Sequence, residues 1–442
     1  MNITENDNNI KDILTRGVGE FIDPEGSFVK KLKENPEKIV IKFGVDPTRP
    51  DIHLGHAVIL HKLRKLQDMG CKIIFLIGDY TAQIGDPTGK DKTRPEISFS
   101  QILENAKTYL EQVGQILNVN DKNKYEVLAN SVWYQSATDY PTGNMSEKSK
   151  AWESDRARFS SIRKDGGLPT VTLWNLMATL RGITHSQLIE RDMFQDRIEK
   201  GNHLYMHEMM YPVMQGVDSW AIAGFFDTCD LEVGGTDQTF NMLMGRHIMK
   251  NNKQEPQSVL AFQLLVGLDG KEKMSKSLDN YIAITDTPED MYGKVMSIPD
   301  NAIVSYFELC TFTPMSEVLN IKKGLEENTI HPKEIKMQLA KQIVSIYHGQ
   351  DKSNMAEGAF VNTFQKGEIP EDMIEVSLED NETLVDAMLK VEFVSSKSEY
   401  RRLVEEGAIT ELNKDVKIED VNFKPESGMK FRVGKKRFFK IV

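Results

Sequence analysis

The stretch IVIKFGVDPTRPDIHLGHAVILHKLRKLQDMGCKIIFLI, residues 39–77, decides the fold of this chain. Its two ends are short apolar runs rich in β-branched and aromatic side chains, which is typical of buried strands in a parallel sheet. Between them apolar residues recur at helical spacing from Gly55 onward, and Gly70 follows as a C-cap. Strand, loop, helix and strand in this order form a βαβ unit. We therefore predict an α/β fold that binds its ligand at the carboxyl ends of its strands.

Two short basic motifs frame the expected site. His53-Leu54-Gly55-His56 begins the predicted helix, and Lys273-Met274-Ser275-Lys276-Ser277 follows a glycine-containing turn. The histidines share the first turn of the helix, where backbone N–H groups point at an anion, and a lysine-bearing loop can close on phosphates. Alone, each motif is more often a capping histidine or a solvated charge run. Together they predict a site that grips ATP phosphates from both sides, approached by the stiff loop that carries Thr48.

Two further runs carry polar groups in apolar surroundings. Tyr211, Gln215 and Asp218 recur at steps of four and three, so they share one face of an otherwise apolar helix. This pattern indicates either a ligand pocket or a satisfied structural network. The run GGTDQ, residues 234–238, follows a short predicted strand over 230–233 and places Asp237 and an amide beside a glycine turn, a combination suited to ribose hydroxyls and a small zwitterion.

Composition excludes several classes of protein. The chain has 442 residues, a net charge of −11 and a pI near 5.5, so no global basic field attracts nucleic acid. The only basic surplus lies in residues 397–442, with 12 Lys and Arg against 8 Asp and Glu, and a nucleic-acid contact is expected there. Three cysteines without metal spacing, and no apolar run of membrane length, predict a cytoplasmic protein that does not cross a membrane.

Two common nucleotide-binding motifs are absent from the sequence. The run Gly85-Asp86-Pro87-Thr88-Gly89-Lys90 has three residues between its glycines, where a Walker A loop has four. No GxGxxG sequence follows a predicted strand either. The chain is therefore neither a P-loop NTPase nor an ordinary dehydrogenase.

HLGH, GGTDQ and KMSKS, in this order within an α/β sheet, resemble a class I aminoacyl-tRNA synthetase. The blocks KFGVDPTRPDIHLGH, LIGDYTAQIGDPTGK, YPVMQGVD, LEVGGTDQ and LLVGLDGKEKMSKS are similar to those of the tyrosyl-tRNA synthetases over nearly the whole chain. The C-terminal runs SKSEYRRLVEEGAI and VGKKRFFKI are similar to the S4 RNA-binding fold usual at the end of the bacterial tyrosyl enzymes.

The resemblance implies a domain order. A Rossmann-like parallel-sheet catalytic domain would cover residues 1–250, with an N-terminal helical segment and an inserted connecting region that matches the polar stretch 139–167. A KMSKS loop region over 251–284 and a helical anticodon-side domain over 285–350 would follow. A linker over 351–380 would then lead to a small α+β S4-like domain over 381–442.

The resemblance also implies an activity, tyrosine–tRNA ligation, with L-tyrosine, ATP and tRNA(Tyr) as partners, a homodimeric assembly, and Mg²⁺ that arrives with ATP rather than in a protein metal cage. The residues that would contact ATP and its pyrophosphate are Thr48, His53, His56, Lys90, Arg94, Lys273 and Lys276, joined by Asp46, Gly55, Asp237 on the ribose, Met274, Ser275 and Ser277. Tyrosine would be held by Asp86, Tyr211 and Gln215 at its α-amino group, Gln238 near its carboxylate and Asp218 at its phenol.

One departure and three alternatives accompany this prediction. Lys42 stands where many family members have a tyrosine that shares the phenol, so Asp218 needs a different helper. The nearest alternative is a tryptophanyl enzyme, which Gln215 and Asp86 disfavour. The others are an HxGH nucleotidyltransferase that makes a small cofactor, which leaves GGTDQ unexplained, and a non-catalytic RNA-binding protein.

Overall fold

The structure, a computed structural model, describes residues 3–87, 97–134, 170–189, 192–365, 373–378, 382–414, 416–434 and 437–442. Its contacts divide the chain into two compact units, Met1–Gln350 and Asp351–Val442. No helix within the described ranges has the length and apolar character needed to cross a membrane.

The first unit contains an α/β sheet followed by a group of helices. Its strands are β1 (Val18–Ile22), β2 (Val40–Val45), β3 (Lys72–Ile77), β4 (Tyr125–Ala129), β5 (Leu231–Gly235) and β6 (Ser258–Phe262). Its helices are α1 (Ile3–Thr15), α2 (Ser27–Glu34), α3 (Leu54–Met69), α4 (Thr81–Ile84), α5 (Phe99–Val113), α6 (Ser131–Tyr134), α7 (Leu173–Leu180), α8 (His185–Ile189), α9 (Asp192–Glu199), α10 (Met206–Phe226), α11 (Thr239–Asn251), α12 (Pro288–Ser297), α13 (Ile303–Cys310), α14 (Met315–Glu326) and α15 (Pro332–His348), and α16 (Gln350–Gln365) follows them.

The sheet places a crevice at its centre. The strand order is β1-β6-β5-β2-β3-β4, with β1 antiparallel to β6 and the other neighbours parallel. From β2 the chain proceeds outward through β3 and β4, then returns to the other side of β2 with β5 and β6. This reversal makes the β2–β5 boundary the topological switch point, where ligands of open α/β sheets bind.

The apolar pattern of residues 39–77 is realised as predicted. Strands β2 and β3 pair in parallel from Val40↔Lys72 to Val45↔Ile77, and Ile73, Ile74 and Phe75 are fully buried. Helix α3 follows His53 and is capped by Gly70. The φ of Gly70 is 121°, a backbone conformation that residues with a side chain rarely adopt. The α/β class expected from the sequence is confirmed.

Helices α10 and α11 pack closely beside the crevice. A Cβ atom added to Gly216 of α10 would lie 3.0 Å from the backbone nitrogen of Gly245 in α11, so the glycines permit the approach. Apolar residues of α10, among them Val213, Val217 and Ile222, are buried in the core on this side of the sheet. The polar residues Gln215 and Asp218 are thereby held at fixed positions next to β2 and β5.

The second unit is α+β. Its strands are β7 (Ile374–Val376), β8 (Ile409–Glu411), β9 (Val416–Lys417), β10 (Lys430–Val433) and β11 (Arg437–Ile441), in the order β7-β11-β10-β8-β9, and its short helices are α17 (Leu384–Lys390) and α18 (Lys397–Glu405). Leu384, Met388, Ile409, Phe431 and Phe439 form part of a core of its own.

Three predictions need correction or fall outside the description. Gly234 and Gly235 were predicted as a turn, but they continue β5 and pair with Ala261 and Phe262 of β6. The predicted linker 351–380 carries α16 and β7, because its polar residues are good helix formers and its polarity reflects exposure. The predicted connecting region 139–167 lies outside the described residues. The other domain boundaries remain predictions.

Candidate active site

A cavity of about 310 Å³ opens at the carboxyl ends of β2 and β5. It is lined by every predicted site residue whose side chain is described: Asp46, Thr48, His53, Gly55, His56, Asp86, Tyr211, Gln215, Asp218, Asp237, Gln238, Lys273, Met274, Ser275 and Lys276. Lys90 and Arg94 lie outside the described residues, and so does the side chain of Ser277. The structure therefore brings the described members of the predicted set to one cavity, and their roles remain predictions.

The HLGH histidines form the first turn of α3. His53 is the N-cap, its backbone N–H donates to His56 Nδ1 at 3.5 Å, and the two ring centroids are 3.9 Å apart. Burial, helped by the charges of Lys276 and Lys273, lowers the pKa of His53 to about 3, and burial lowers the pKa of His56 well below its usual value. Both imidazoles are consequently neutral at pH 7. The prediction of a basic HLGH motif is wrong in this respect, because these rings offer N–H donors without a charge.

The KMSKS lysines bring positive charge to the cavity. Lys273 Nζ lies 2.6 Å from Asp237 Oδ2 in a partly exposed ion pair. Lys276 Nζ donates to the Tyr109 hydroxyl at 2.6 Å and lies 4.5 Å from the centre of the Tyr109 ring. Burial and the nearby Arg49 lower the pKa of Lys276 to about 7, although Asp51 opposes the change. An anion in the cavity would favour the charged form of Lys276.

Asn280 fixes the loop that carries these lysines. Its Oδ1 accepts the backbone N–H of Ser275 at 2.8 Å, and its Nδ2 donates to Asp269 Oδ2 at 2.6 Å. Neither Asn280 nor Tyr109 was predicted from the sequence. Tyr109 acts through a partner distant in the chain, and Asn280 acts through a loop backbone. The local spacing of residues in a sequence does not predict such contacts.

A chain of amide and carboxylate groups lines the opposite side of the cavity. Gln238 Nε2 donates to Asp86 Oδ2 at 2.8 Å, and Asn241 Nδ2 donates to the side-chain oxygens of Gln238 and Gln215 at 3.0 and 2.9 Å. Gln215 Nε2 in turn donates to Glu232 Oε1 at 3.0 Å. This network orients the amides predicted to meet the amino acid, and Asn241 and Glu232 are members that the sequence did not reveal.

Asp46 connects the two sides of the site. Its Oδ2 accepts from the Tyr211 hydroxyl at 2.8 Å and its Oδ1 accepts from Thr81 Oγ1 at 2.8 Å. Asp46 was predicted among the ATP-binding residues. In the structure it also fixes Tyr211, which was predicted on the amino-acid side.

Asp218 is a buried carboxylate at the apolar end of the cavity. Its oxygens accept from Trp133 Nε1 at 2.9 Å and from Asn130 Nδ2 at 3.4 Å, and the residue is 3% exposed. Burial raises the pKa of Asp218 to about 6, while Lys42 and the hydrogen-bond donors oppose the increase. Asp218 therefore remains largely ionised at pH 7 and can accept a further hydrogen bond. Trp133 and Asn130 follow β4, and neither was predicted from the sequence.

The cavity combines N–H donors and lysines suited to phosphates with a separate carboxylate suited to a hydroxyl. Within the ranges that the structure describes, no group of three or more His, Cys, Asp or Glu side chains is arranged to hold a metal ion. The N–H donors and lysines of the cavity fit the phosphates of a nucleotide.

Comparisons with known proteins agree with this arrangement. The family model described as tRNA synthetases class I (W and Y) matches residues 34–142 and 168–365. The chain is 41% identical to the tyrosine–tRNA ligase 2 of Vibrio cholerae over 430 residues, 97% of each chain. It is 39% identical to the tyrosine–tRNA ligase of Thermotoga maritima over 431 residues, 97% of this chain and 96% of the relative.

Solved structures show the same fold. A C-terminally truncated mitochondrial tyrosyl-tRNA synthetase of Aspergillus nidulans superposes with a TM-score of 0.57 at 21% identity, covering 80% of this chain and 94% of that one. A tryptophanyl-tRNA synthetase of Plasmodium falciparum gives 0.53 at 14% identity, covering 80% and 89%. The fold is thus common to both specificities, whereas the sequence relatives carry the tyrosyl one. The predicted resemblance is confirmed, and the chain belongs to the tyrosyl-tRNA synthetases among the class I tRNA synthetases.

Proposed function

We propose that the cavity between β2 and β5 joins L-tyrosine to ATP, releasing pyrophosphate, and that the enzyme then transfers tyrosine to the 3′ end of tRNA(Tyr). The observation that carries this proposal is a single cavity with phosphate-binding groups on one side and the buried Asp218 carboxylate on the other. The tyrosine–tRNA ligases to which the chain is about 40% identical over nearly their whole length support the same activity.

The first step needs positioning and charge stabilisation rather than a protein nucleophile. A carboxylate oxygen of tyrosine attacks the α-phosphorus of ATP, the bond from that phosphorus to the bridging oxygen breaks, and pyrophosphate departs with the electron pair. Neutral His53 and His56, at the start of α3, would donate hydrogen bonds to the phosphates together with Thr48. Lys273 and Lys276, joined by Lys90 and Arg94, would stabilise the charge that accumulates on the leaving group.

The nucleoside would lie beside the KMSKS loop and the end of β5. Asp237 would accept the ribose hydroxyls, and Asp46, Gly55, Met274, Ser275 and Ser277 would complete the ATP contacts. Mg²⁺ bound to the triphosphate would neutralise charge between its phosphates.

The amino acid would lie along the amide chain described above. Asp86, Tyr211 and Gln215 would bind the α-amino group, and Gln238 would lie near the carboxylate. The phenol would donate its hydroxyl hydrogen to Asp218. Phenylalanine has no hydroxyl, so it would leave the buried Asp218 carboxylate without a hydrogen bond from the substrate. Tyrosyl enzymes are the reference example of an enzyme that rejects an analogue through such a lost hydrogen bond.

The test is amino-acid-dependent exchange of radiolabelled pyrophosphate into ATP. We expect exchange with tyrosine and little response to phenylalanine or tryptophan. Comparable exchange with tryptophan would contradict the specificity. No exchange with any amino acid, combined with nucleotidyl transfer to a small cofactor precursor, would instead favour the HxGH nucleotidyltransferase alternative.

The second unit supports a role in tRNA binding. Its five-stranded sheet and two short helices are the basis for proposing an S4-like RNA-binding fold, and Lys397, Arg401 and Arg402 are exposed on α18. These residues belong to the segment with the basic surplus. A salt-dependent electrophoretic shift of tRNA(Tyr) by the full chain would test the proposal.

An exposed apolar helix supports the proposed homodimer. Leu173 and Trp174 of α7 are 75% and 70% exposed, and Met206 at the start of α10 is 71% exposed. Adjacent exposed apolar side chains such as Leu173 and Trp174 form an apolar surface of the kind that a second copy of the chain would cover. Sedimentation equilibrium of the wild type and of a Trp174→Glu variant would distinguish a dimer from a monomer. The buried thiols Cys71, Cys229 and Cys310 are free, in keeping with the proposed cytoplasmic location.

A further inference from the structure

Lys42 in the middle of β2 is a buried cation at the wall of the amino-acid pocket. It is 1% exposed, and its ammonium group lies 2.9 Å from Glu232 Oε1, 2.7 Å from the backbone oxygen of Gln215 and 2.9 Å from Ser219 Oγ. An ammonium group has three hydrogens, so these contacts occupy all of them. Two of the contacts hold one turn of α10, from Gln215 to Ser219, and Asp218 lies within that turn.

Glu232 completes a closed ion-pair cluster. It is the register partner of Lys42 across the parallel β2–β5 pair and is 2% exposed. Besides Lys42, it accepts from Gln215 Nε2 at 3.0 Å, from Ser219 Oγ at 3.2 Å and from Gln257 Nε2. A buried ion pair is weak evidence for a role in stability, because its attraction barely recovers the desolvation cost of the two charges. The location of the pair beneath the pocket suggests a role in the site rather than in folding.

The cluster acts on Asp218 through charge and position. Burial is the main influence that raises the pKa of Asp218, and Lys42 is the cation that opposes it. The other groups that face Asp218 are the neutral donors Trp133 and Asn130 and the phenol of Tyr134 on α6. Lys42 is thus the residue that supplies positive charge to this carboxylate, and Glu232 partly offsets that charge.

We infer that Lys42 and Glu232 are positioning residues that determine selection for the hydroxyl-bearing aromatic amino acid. Lys42 holds the Gln215–Ser219 turn against β2 and keeps Asp218 ionised, while Glu232 orients the Gln215 amide and moderates the lysine charge. A lysine cannot accept a hydrogen bond, and this one has no hydrogen left to donate. Lys42 therefore cannot itself bind the phenol, which is left to Asp218 and the groups around it. The inference rests on the proposed function and deepens it.

The test compares three full-length variants, Lys42→Met, Glu232→Gln and Lys42→Met/Glu232→Gln. The measured quantities are kcat/KM for tyrosine in pyrophosphate exchange from pH 5.5 to 9, the same ratio for phenylalanine, and KM for ATP. An opposite charge close to a carboxyl group favours its ionised form over its protonated form, typically by about tenfold or more. We expect Lys42→Met to lose about two- to tenfold in kcat/KM for tyrosine at pH 7 and to recover toward pH 9, because an acid about ten- to a hundredfold weaker than one with a pKa of about 6 is ionised only to about a half to a tenth at pH 7. The double variant, which also removes the opposing charge of Glu232, should lose less.

Glu232→Gln should move the acidic limb of the profile in the opposite direction, because it leaves the lysine charge unbalanced. The ratio of kcat/KM for tyrosine to kcat/KM for phenylalanine should fall in both lysine variants, and KM for ATP should change little. The double variant leaves no buried charge without a partner, so it keeps the test valid if Lys42→Met alone folds poorly.

A matched control is available in the first unit. Arg197 and Glu208 form another buried ion pair, with an N–O distance of 2.7 Å and side chains 2% and 3% exposed, and neither residue lines the cavity. Arg197→Met/Glu208→Gln removes a comparable pair and should leave the acidic limb and the amino-acid ratio unchanged. The inference is overturned if the Lys42→Met/Glu232→Gln enzyme shows the pH profile and selectivity of this control. Absence of tyrosine-dependent exchange in the wild type would contradict the proposed function itself.

Discussion

Replacing Asp218 with asparagine should make the protein more stable and destroy its selection of tyrosine. The carboxyl is buried, and its pKa is raised from 3.8 to about 6. Between these two values the folded protein retains a proton that the unfolded chain has released, so stability falls as pH increases. A neutral amide of nearly the same shape has no such pH dependence.

The size of the effect follows from the pKa difference. Ionising Asp218 in the folded state costs about 3 kcal/mol at pH 7.5 and about 1.6 kcal/mol at pH 5, given a folded pKa of about 6. Part of this gain is lost, because the amide nitrogen of the substitute would face Asn130 Nδ2, whose own Oδ1 already accepts from the backbone of Tyr80. Two N–H donors that face each other without an acceptor cost about 1 kcal/mol of folding free energy. The net stabilisation expected at pH 7.5 is about 2 kcal/mol.

Urea unfolding followed by tryptophan fluorescence measures this difference. All four tryptophans precede residue 351, so the signal reports on the unit Met1–Gln350. The advantage of Asp218→Asn over the wild type should grow by about 1.4 kcal/mol between pH 5 and pH 7.5. Asp12→Asn is a control with the opposite slope: burial raises the pKa of Asp12, but Lys65 and Lys62 outweigh it and the net pKa is lowered. An Asp218→Asn advantage that stays constant or shrinks with pH would refute the reasoning.

Three further outcomes are expected. Lys276→Ala should slow pyrophosphate exchange on the order of 10²–10³-fold, equivalent to roughly 2.7–4 kcal/mol of transition-state stabilisation, with KM for tyrosine unchanged, and an unaltered exchange rate would exclude the role. Because the pKa of Lys276 is lowered to about 7, ATP binding at pH 8 should take up a proton at this amine, seen by titration calorimetry in buffers of different ionisation enthalpy and absent in Lys276→Ala. Arg401→Glu/Arg402→Glu should weaken tRNA charging and flatten its salt dependence while leaving tyrosine-dependent exchange intact; equal losses in both assays would argue against RNA contact by α18.

Local sequence pattern predicted the frame of the site well. The apolar runs of β2 and β3 and the helical spacing of α3 are one-dimensional signals, and the structure follows them. The polar face of α10 was equally visible, since Gln215 and Asp218 stand out among apolar neighbours. Such patterns depend on burial of one face, which the period of the sequence records directly.

Contacts between distant segments were not predictable in the same way. Trp133 meets Asp218 across 85 positions, and Tyr109 meets Lys276 across 167. Gly234 and Gly235 were predicted wrongly as a turn, because glycine pairs commonly mark turns. Here they continue a central strand, and a Cβ on Gly235 would lie 2.7 Å from Leu264 and 2.8 Å from Asp237. These glycines leave room beside the proposed ribose site rather than reversing the chain.

The site carries less positive charge than its two basic motifs predicted. His53 and the partly buried His56 are neutral. Within the described residues, Lys273 and Lys276 are therefore the KMSKS and HLGH groups able to bring positive charge to the phosphates. Lys273 is held by Asp237, the proposed ribose ligand, at 2.6 Å. If Asp237 binds the ribose as proposed, entry of ATP would let the phosphates compete for the lysine while the ribose competes for the carboxylate. Breaking one ion pair would then free both groups for the same ligand and would couple nucleoside recognition to capture of the triphosphate.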